Sequence, residues 1–549
     1  MRWVQRCLLF LLAVTTTSGA QAAGFMISEI GPKAIGRGGA MVVNPDDPTA
    51  LWLNPAGLSS VSGAQVYIDG SWVKLNSTFV RSCRPSCAPT AYEKRYGSDT
   101  VTVSRHPDEE LREVDGERVG GFWSGDVNDK RDLILGKDGD SVGVAQNRSP
   151  GRLIPFAALA INGELIGIPG LGLGFGAYGP NTGGVLYDRN GPQRYSVIES
   201  LPLEAIFEAA ISYRFNRYLG FGLGLAFESI GTEQEVAISM DKDGRETRER
   251  DVDLRLNLRE DFIPTFMVGF TSNPVAGLHI GGSFQPTRYA RATGPVRLNA
   301  VNDQSWDLPL TFDGSNARGV GYFTTPAIAR MGISYVFDKW FDVEVAAVRE
   351  FWSSYTHVRL DVQDLVIKSD LPVASGLPPT IQPKDYRDTW SLRAGGDFNI
   401  LPGVLTVRAG AFAEESAIPE HTLDVSVADS NKFGLSTGVS IGYFGFKLTG
   451  AYQHIFMEPR VVDQTQAVSQ NPLAAYPIVG TPGNTAVALG RYDMSYDIFS
   501  VGITMDVGEV ATRVKGAVQG DKGWWKPQGV QDRTVVNAAS WLQEQSNLD

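Results

Sequence analysis

Histidine and cysteine are scarce in this 549-residue chain, with five of the first and three of the second. His106, His279, His357, His421 and His454 stand singly, so the sequence offers no cluster with the ligand spacing of a metal site. No G-x-S-x-G, H-E-x-x-H or phosphate-binding loop occurs, and neither catalysis nor a cofactor finds support. Asp46-Asp47 has the look of a catalytic carboxylate pair, but Pro45 and Pro48 flank it and a turn is the expected role. An excess of basic residues is missing too. The net charge of −12 argues against a nucleic-acid partner, which wants a basic face. Long apolar runs are also absent: after residue 23 nothing approaches the roughly 18 apolar residues of a membrane helix.

What the chain does have begins with an export signal. Arg2 and Arg6 lead into the apolar run Leu8–Val14, and Ala20-Gln21-Ala22 is an A-x-A cleavage pattern, so residues 1–22 read as a signal peptide. Cys7 lies inside the apolar run and not at the cleavage point, so a lipid anchor is not expected. The mature chain should start at Ala23-Gly24-Phe25. Cys83 and Cys87 remain, in SCRPSCAP, and an oxidising compartment favours a small loop disulfide between them. Metal binding by the same C-x-x-x-C has only His106 near it.

Short segments of period two fill the rest. In TWSLRAGGDF, Trp390, Leu392, Ala394 and Phe398 alternate with Ser391, Arg393 and Asp397; in VLTVRAGAFA, Leu405, Val407, Ala409 and Ala411 alternate with Thr406, Arg408 and Gly410. Each is a strand with one apolar face. Fourteen such strands are expected between residues 64 and 507, joined alternately by short turns and by long polar loops such as 75–152, 180–204, 231–252, 290–323, 353–386 and 457–493. That alternation, with an even strand count, predicts an all-β outer-membrane barrel of 14 antiparallel strands at residues 64–508, crossing a Gram-negative-type outer membrane many times. Aromatic residues at strand ends, among them Tyr213, Phe215, Tyr218, Phe337, Trp340, Phe341, Phe351, Trp352, Tyr443 and Phe444, suit the girdles at the two membrane interfaces.

A barrel of this size is too wide to be filled by its own wall side chains. Residues 23–63 are the candidate plug. Gly31, Gly36, Gly38 and Gly39 allow tight turns, Asp47-Pro48 suits a helix start, Thr49–Leu53 can form one short helix, and Pro55 stops it. A bare helix stop without function stays open for LWLNPAGLSS.

The mature start Ala23-Gly24-Phe25, Asn54-Pro55-Ala56 ahead of the first strand, and the late hairpin VRAGAFAEESAIPEHTLDVSVADSNKFGLSTGVS (407–440) together resemble the FadL-type long-chain fatty acid and hydrocarbon transporters of the outer membrane. The resemblance spans nearly the whole mature chain. It implies a monomeric barrel with an N-terminal hatch (plug) inside the lumen, a hydrophobic small-molecule substrate, and sideways release into outer-membrane lipid beside a kinked third strand. By the same resemblance Phe25 belongs to the central pocket and Asn54, Pro55 and Ala56 to the hatch. The third strand, LGLGFGAYGPNTGG, offers Gly174, Gly176, Gly179 and Pro180 for the lateral opening, although a glycine-rich strand equally suits close packing of the hatch.

Parity places Glu204, Glu208, Arg330, Glu344, Arg393, Asp397 and Arg408 on the lumen face. Arg330, Arg393 and Arg408 are the candidate ligands for a substrate carboxylate, since guanidinium groups bind carboxylates bidentately. Lumen charges that only pair with each other are the competing expectation. Two other functions stay in play: a general diffusion porin, and a structural or adhesive surface barrel. Residues 509–549 form an expected periplasmic C-terminal extension, with GDKGWWKPQG as a linker and DRTVVNAASWLQEQ as a short amphipathic helix.

Overall fold

The computed structural model describes residues 26–27, 29–43, 45–81, 90–96, 99–105, 112–114, 117–119, 144–216, 218–239, 248–301, 310–313, 316–369, 380–427, 429–462 and 487–519. The signal peptide, Phe25, Cys83, Cys87 and the tail beyond 519 lie outside them.

Fourteen antiparallel strands close on themselves. They are β1 (Ala64–Arg81), β2 (Val144–Gln146 and Arg152–Asn162), β3 (Leu171–Tyr178), β4 (Glu199–Asn216), β5 (Leu219–Ser239), β6 (Asp251–Val275) and β7 (Leu278–Gln285 and Arg288–Ala300). Then follow β8 (Arg318–Thr325 and Ile328–Asp338), β9 (Phe341–Glu350 and His357–Gln363), β10 (Thr380–Pro383 and Thr389–Leu401), β11 (Leu405–Glu414), β12 (Lys432–Tyr443), β13 (Phe446–Met457 and Arg460–Val462) and β14 (Gly490–Asp506). Each strand pairs with its successor, and β14 pairs with β1 from Gln65↔Asp506 to Arg81↔Gly490. Closure removes the free edges that an open sheet would expose.

The period-two pattern translates directly into two wall faces. Leu392 is 55% exposed while Arg393 beside it is 3% exposed. On β14, Phe499, Val501 and Ile503 are exposed and Ser500 is buried. The outward apolar band is the surface that lipid covers. Tyr213, Phe215, Tyr218, Phe337, Trp340, Phe341 and Tyr443 all stand exposed beside the short turns, as a girdle requires. Trp352 does not belong to that girdle. It is fully buried with Tyr355 and Tyr386, and its indole N–H donates to Glu350 at 2.6 Å.

Several strands run further than the alternation of apolar residues indicates. Arg288–Ala300, Arg318–Thr325 and His357–Gln363 are strand in segments whose polarity suggests loop. Beyond the lipid band the outer face is wet and takes polar residues, while the inner face packs Leu258, Ala292 and Val296 in a buried cluster and the ladder of hydrogen bonds continues. The other end of the barrel also differs from expectation. β14 ends at Asp506 and a helix begins at once, Val507–Val518.

Before β1, the chain forms helix α1 (Pro32–Gly36), helix α2 (Ala50–Leu53) and a 3-10 helix at Pro55–Ser60. The helix after β14 is α3. Asp47 supports the start of α2 by accepting from the Thr49 N–H at 2.9 Å. Pro55 both ends α2 and opens the 3-10 helix, whose cap is the Asn54 side chain accepting from Ala56 N at 3.1 Å. Of the described residues between 29 and 61, only Asp46 is exposed. α1 packs on β12, β13 and β14, whereas the 3-10 helix packs on β2 to β6 across the barrel. The segment therefore crosses the lumen.

Candidate functional site

Wall glycines set how closely this segment can lie against the strands. A Cβ at Gly172 would overlap Leu58, one at Gly222 would overlap Pro55 and Ala56, and one at Gly395 or Gly410 would overlap the main chain of Arg37. On β3, Gly174 and Gly176 meet Leu51 and Leu58 of the plug. These glycines thus have a packing role. No bulge or register shift interrupts β3, which pairs regularly with β2 and β4.

Charged side chains fix the other contacts. Arg37 pairs with Asp342 at 2.7 Å and Asp397 at 2.9 Å. Glu344 accepts from the main-chain N–H groups of Val42 at 2.6 Å and Val43 at 3.2 Å. Arg393 pairs with Glu29 and, at 2.8 Å, with Glu414. Arg408 donates to Asp397 at 3.2 Å and to Ser440 at 2.8 Å. Arg288 pairs with Glu228 and with Glu204 at 3.3 Å. Two of the three candidate arginines, Arg393 and Arg408, are therefore already engaged by carboxylates of the protein.

Arg330 is different. It is 4% exposed, and neither Nη1 nor Nη2 has a hydrogen-bond partner among the described residues. Its guanidinium carbon sits 4.9 Å from the centre of the Trp52 ring, on the plug. A stacked indole stabilises a cation by about 0.5–2 kcal/mol, which falls short of the cost of burying one. Trp52 in turn meets Tyr178 edge-on at 5.9 Å, and Tyr178 stacks on Phe156 at 4.8 Å. The Tyr178 hydroxyl donates to Glu208.

Tyr178 is the last residue of β3, and the wall changes there. After Gly179-Pro180 the chain leaves the sheet, and Asn181–Thr182 pair with Met26–Ile27 at the start of the N-terminal segment. Val185–Leu186 then rejoin β4 at Ser200 and Glu199. Between these points, Arg152–Pro155 of β2 pair only with β1, and Leu201–Ala205 of β4 only with β5, among the described residues. A window results, bounded below by Tyr178 and above by Val185–Leu186. Arg152 reaches across it to the Pro202 carbonyl. Leu153 and Leu203 flank it and are exposed, which places it in the apolar band. The gap in the wall thus follows from where β3 stops, and Gly179 and Pro180 stand at that stop.

A cavity of about 140 Å³ opens on the inner side of the window. Pro202, Leu203 and Glu204 line it, with Ile230, Phe323, Thr325 and Tyr496 among the facing residues. It is smaller than the roughly 300–1,000 Å³ of ordinary ligand sites, so a larger ligand requires the plug or the loops to shift. Arg330 lies five residues beyond Thr325 along β8, toward the short-turn end. The plug-facing glycines other than those of β3 were not singled out in the sequence, and neither was Trp52. A glycine at inward parity on strand after strand is the signal that marks the first group.

The sequence profile of the outer membrane protein transport family (OMPP1/FadL/TodX) matches residues 13–475. No curated protein sequence matches the chain significantly. Among solved structures, a FadL homologue of Pseudomonas aeruginosa aligns over 88% of this chain and 99% of its own, with 17% identity and a TM-score of 0.62. The toluene transporter TodX of Pseudomonas putida aligns over 89% and 100%, with 12% identity and a TM-score of 0.54. The toluene transporter TbuX of Ralstonia pickettii aligns over 87% and 99%, with 13% identity and a TM-score of 0.51. These likenesses bear on the fold. The profile match covers most of the chain, and the protein belongs to the FadL/TodX family of outer-membrane transporters of hydrophobic molecules.

Proposed function

We propose that this barrel takes up long apolar molecules carrying a carboxylate, long-chain fatty acids above all, and releases them sideways into the membrane. The observation that carries the choice of substrate is Arg330, a buried guanidinium whose terminal nitrogens have no partner among the described residues. A carboxylate would supply two parallel hydrogen bonds together with a counter-charge in direct contact. The alkyl chain contributes about 0.8 kcal/mol for each methylene it removes from water. A neighbour named as a FadL homologue and one named as a toluene transporter share the fold, so the fold does not choose the substrate.

The path follows from the same residues. A carboxylate at Arg330 competes with Trp52 for the guanidinium. Trp52 packs on Tyr178, which forms the sill of the window. Asn181–Thr182, in the stretch that leaves the wall between the two bounds of the window, are tied to Met26–Ile27. Moving the N-terminal segment as a hatch therefore disturbs the window from two directions. Residues 23–63 act as that hatch in this reading, and Asn54, Pro55 and Ala56 shape its hinge turn. The closed wall leaves no edge strand to pair with another copy, which supports a monomer.

Single-channel recording tests the reading. The intact protein should pass little steady current, and deletion of residues 24–62 should raise the current while leaving a folded barrel. Steady conduction by the intact protein, together with free permeation of small hydrophilic solutes, would replace the transporter reading with that of a porin.

A further inference from the structure

α3 carries a surface that substrate transport does not use. Asp506 caps the helix by accepting from the Glu509 N–H at 3.0 Å, and its own N–H donates to Gly445 at 2.7 Å in the β12–β13 turn. Val510 packs against Gly445. Arg513 lies over the Phe444 ring at 5.7 Å and pairs with Glu509 at 2.6 Å. These contacts hold one face of the helix against the short-turn end of the barrel, level with the Tyr443 and Phe444 aromatics.

The other face is apolar and open. Val507, Val514 and Val518 are 39, 48 and 83% exposed. With Ala511, and with Val510 at the edge nearest Gly445, they form one stripe at helical spacing. This stripe and Met505 line a shallow groove with Lys515 at its rim. Met505 is the last outward position of β14 after Phe499, Val501 and Ile503, so the groove continues the wall's lipid-facing band without a break. A helix with its apolar stripe at that level suits the boundary between acyl chains and headgroups, where such helices sink about 5–10 Å.

We propose that α3 is a membrane-interfacial helix whose groove holds phospholipid acyl chains of the periplasmic leaflet, with Lys515 beside a lipid phosphate. The continuity with the lipid band selects lipid over the two other possible occupants, residues 520–549 of this chain and a second copy. Lysine at the rim suits an anionic headgroup, its stem lying along apolar surface.

The test uses the full-length chain with Cys83→Ser and Cys87→Ser, and single cysteines at Val514, Val518 or Thr512, each carrying an environment-sensitive fluorophore. The protein is reconstituted in phosphatidylethanolamine–phosphatidylglycerol vesicles, with or without bromine on the acyl chains. Labels at 514 and 518 should be quenched several-fold more than the label at 512, which lies on the opposite side of the helix. Val514→Asp should abolish the quenching at 518 while the barrel keeps its heat-modifiable mobility on gels. Equal quenching at all three sites, or none at 514 and 518, overturns the proposal. So does quenching that appears at 514 and 518 only after residues 520–549 are deleted, because the tail would then be the occupant.

Discussion

The side-chain amide of Asn54 donates to the Phe270 carbonyl of β6 at 3.0 Å, joining plug to wall across 216 residues of sequence. The same nitrogen donates to Val42 O at 2.9 Å, and the Oδ1 atom accepts from Ala56 N at 3.1 Å. One asparagine thus holds two stretches of the plug and one strand in a fixed relation. Asn54→Ala leaves two carbonyls and one N–H without these partners, at roughly 1–3 kcal/mol for each buried group left unsatisfied. The barrel should melt as before, brief current openings should become frequent, and substrate uptake should fall. Unchanged current and uptake would reduce the Asn-Pro turn to a helix stop.

Arg37→Met removes the cation shared by Asp342 and Asp397. Breaking a buried pair from one side costs about 3–5 kcal/mol. Asp397 retains Arg408, so the loss falls on the seating of the plug more than on the wall. Conductance should approach that of the 24–62 deletion. A value equal to that of the intact protein would mean that α1 stays seated without its ion pairs.

Gly410→Val approaches the same contact from the wall, since the new side chain would overlap the Arg37 main chain. The barrel should still fold and its conductance should rise. Gly450→Ala is the matched control, because nothing lies within 4 Å of the position its Cβ would take. Similar currents from the two variants would show that close approach of the plug does not matter for sealing.

Arg330→Leu should raise the melting temperature of the ligand-free protein, because an apolar side chain replaces a buried cation. Fatty-acid binding should weaken by roughly 10–100-fold, the equivalent of about 1.5–3 kcal/mol for hydrogen bonds to a charged group. Alkylbenzene binding should stay as it is. Isothermal titration of both ligands on one preparation separates these outcomes, and an unchanged fatty-acid affinity would remove Arg330 from the site.

Alternation across the lipid band made the wall legible in the sequence: Leu392 and Arg393 are told apart by parity alone. The same rule loses its grip outside the bilayer, and Arg318–Thr325 was hidden because neither of its faces is selected by lipid. Trp352 illustrates a different limit. An aromatic residue at a strand end suits either a girdle or a capping cluster, and only its neighbours Tyr355 and Tyr386 decide. Asn54-Pro55 announced a turn, but its wall partner could not be read, because Phe270 contributes a main-chain carbonyl that any residue would offer. α3 was missed although its valines at 507, 510, 514 and 518 keep helical spacing. The expectation of a strand reaching residue 507 masked the change of period.

Glu29 and Arg393 form an ion pair across 364 residues. Residues 29–61 leave the export machinery ahead of every strand, yet Asp342, Glu344, Arg393 and Asp397 belong to β9 and β10. Contacts so distant in sequence form late. The seal therefore cannot be complete before β9 and β10 stand in the wall, and a plug that seats only after β14 has met β1 leaves an interval in which the new barrel is an open conduit. Refolding into dye-loaded vesicles should show a burst of release that stops by itself, and the Arg37→Met barrel should keep leaking.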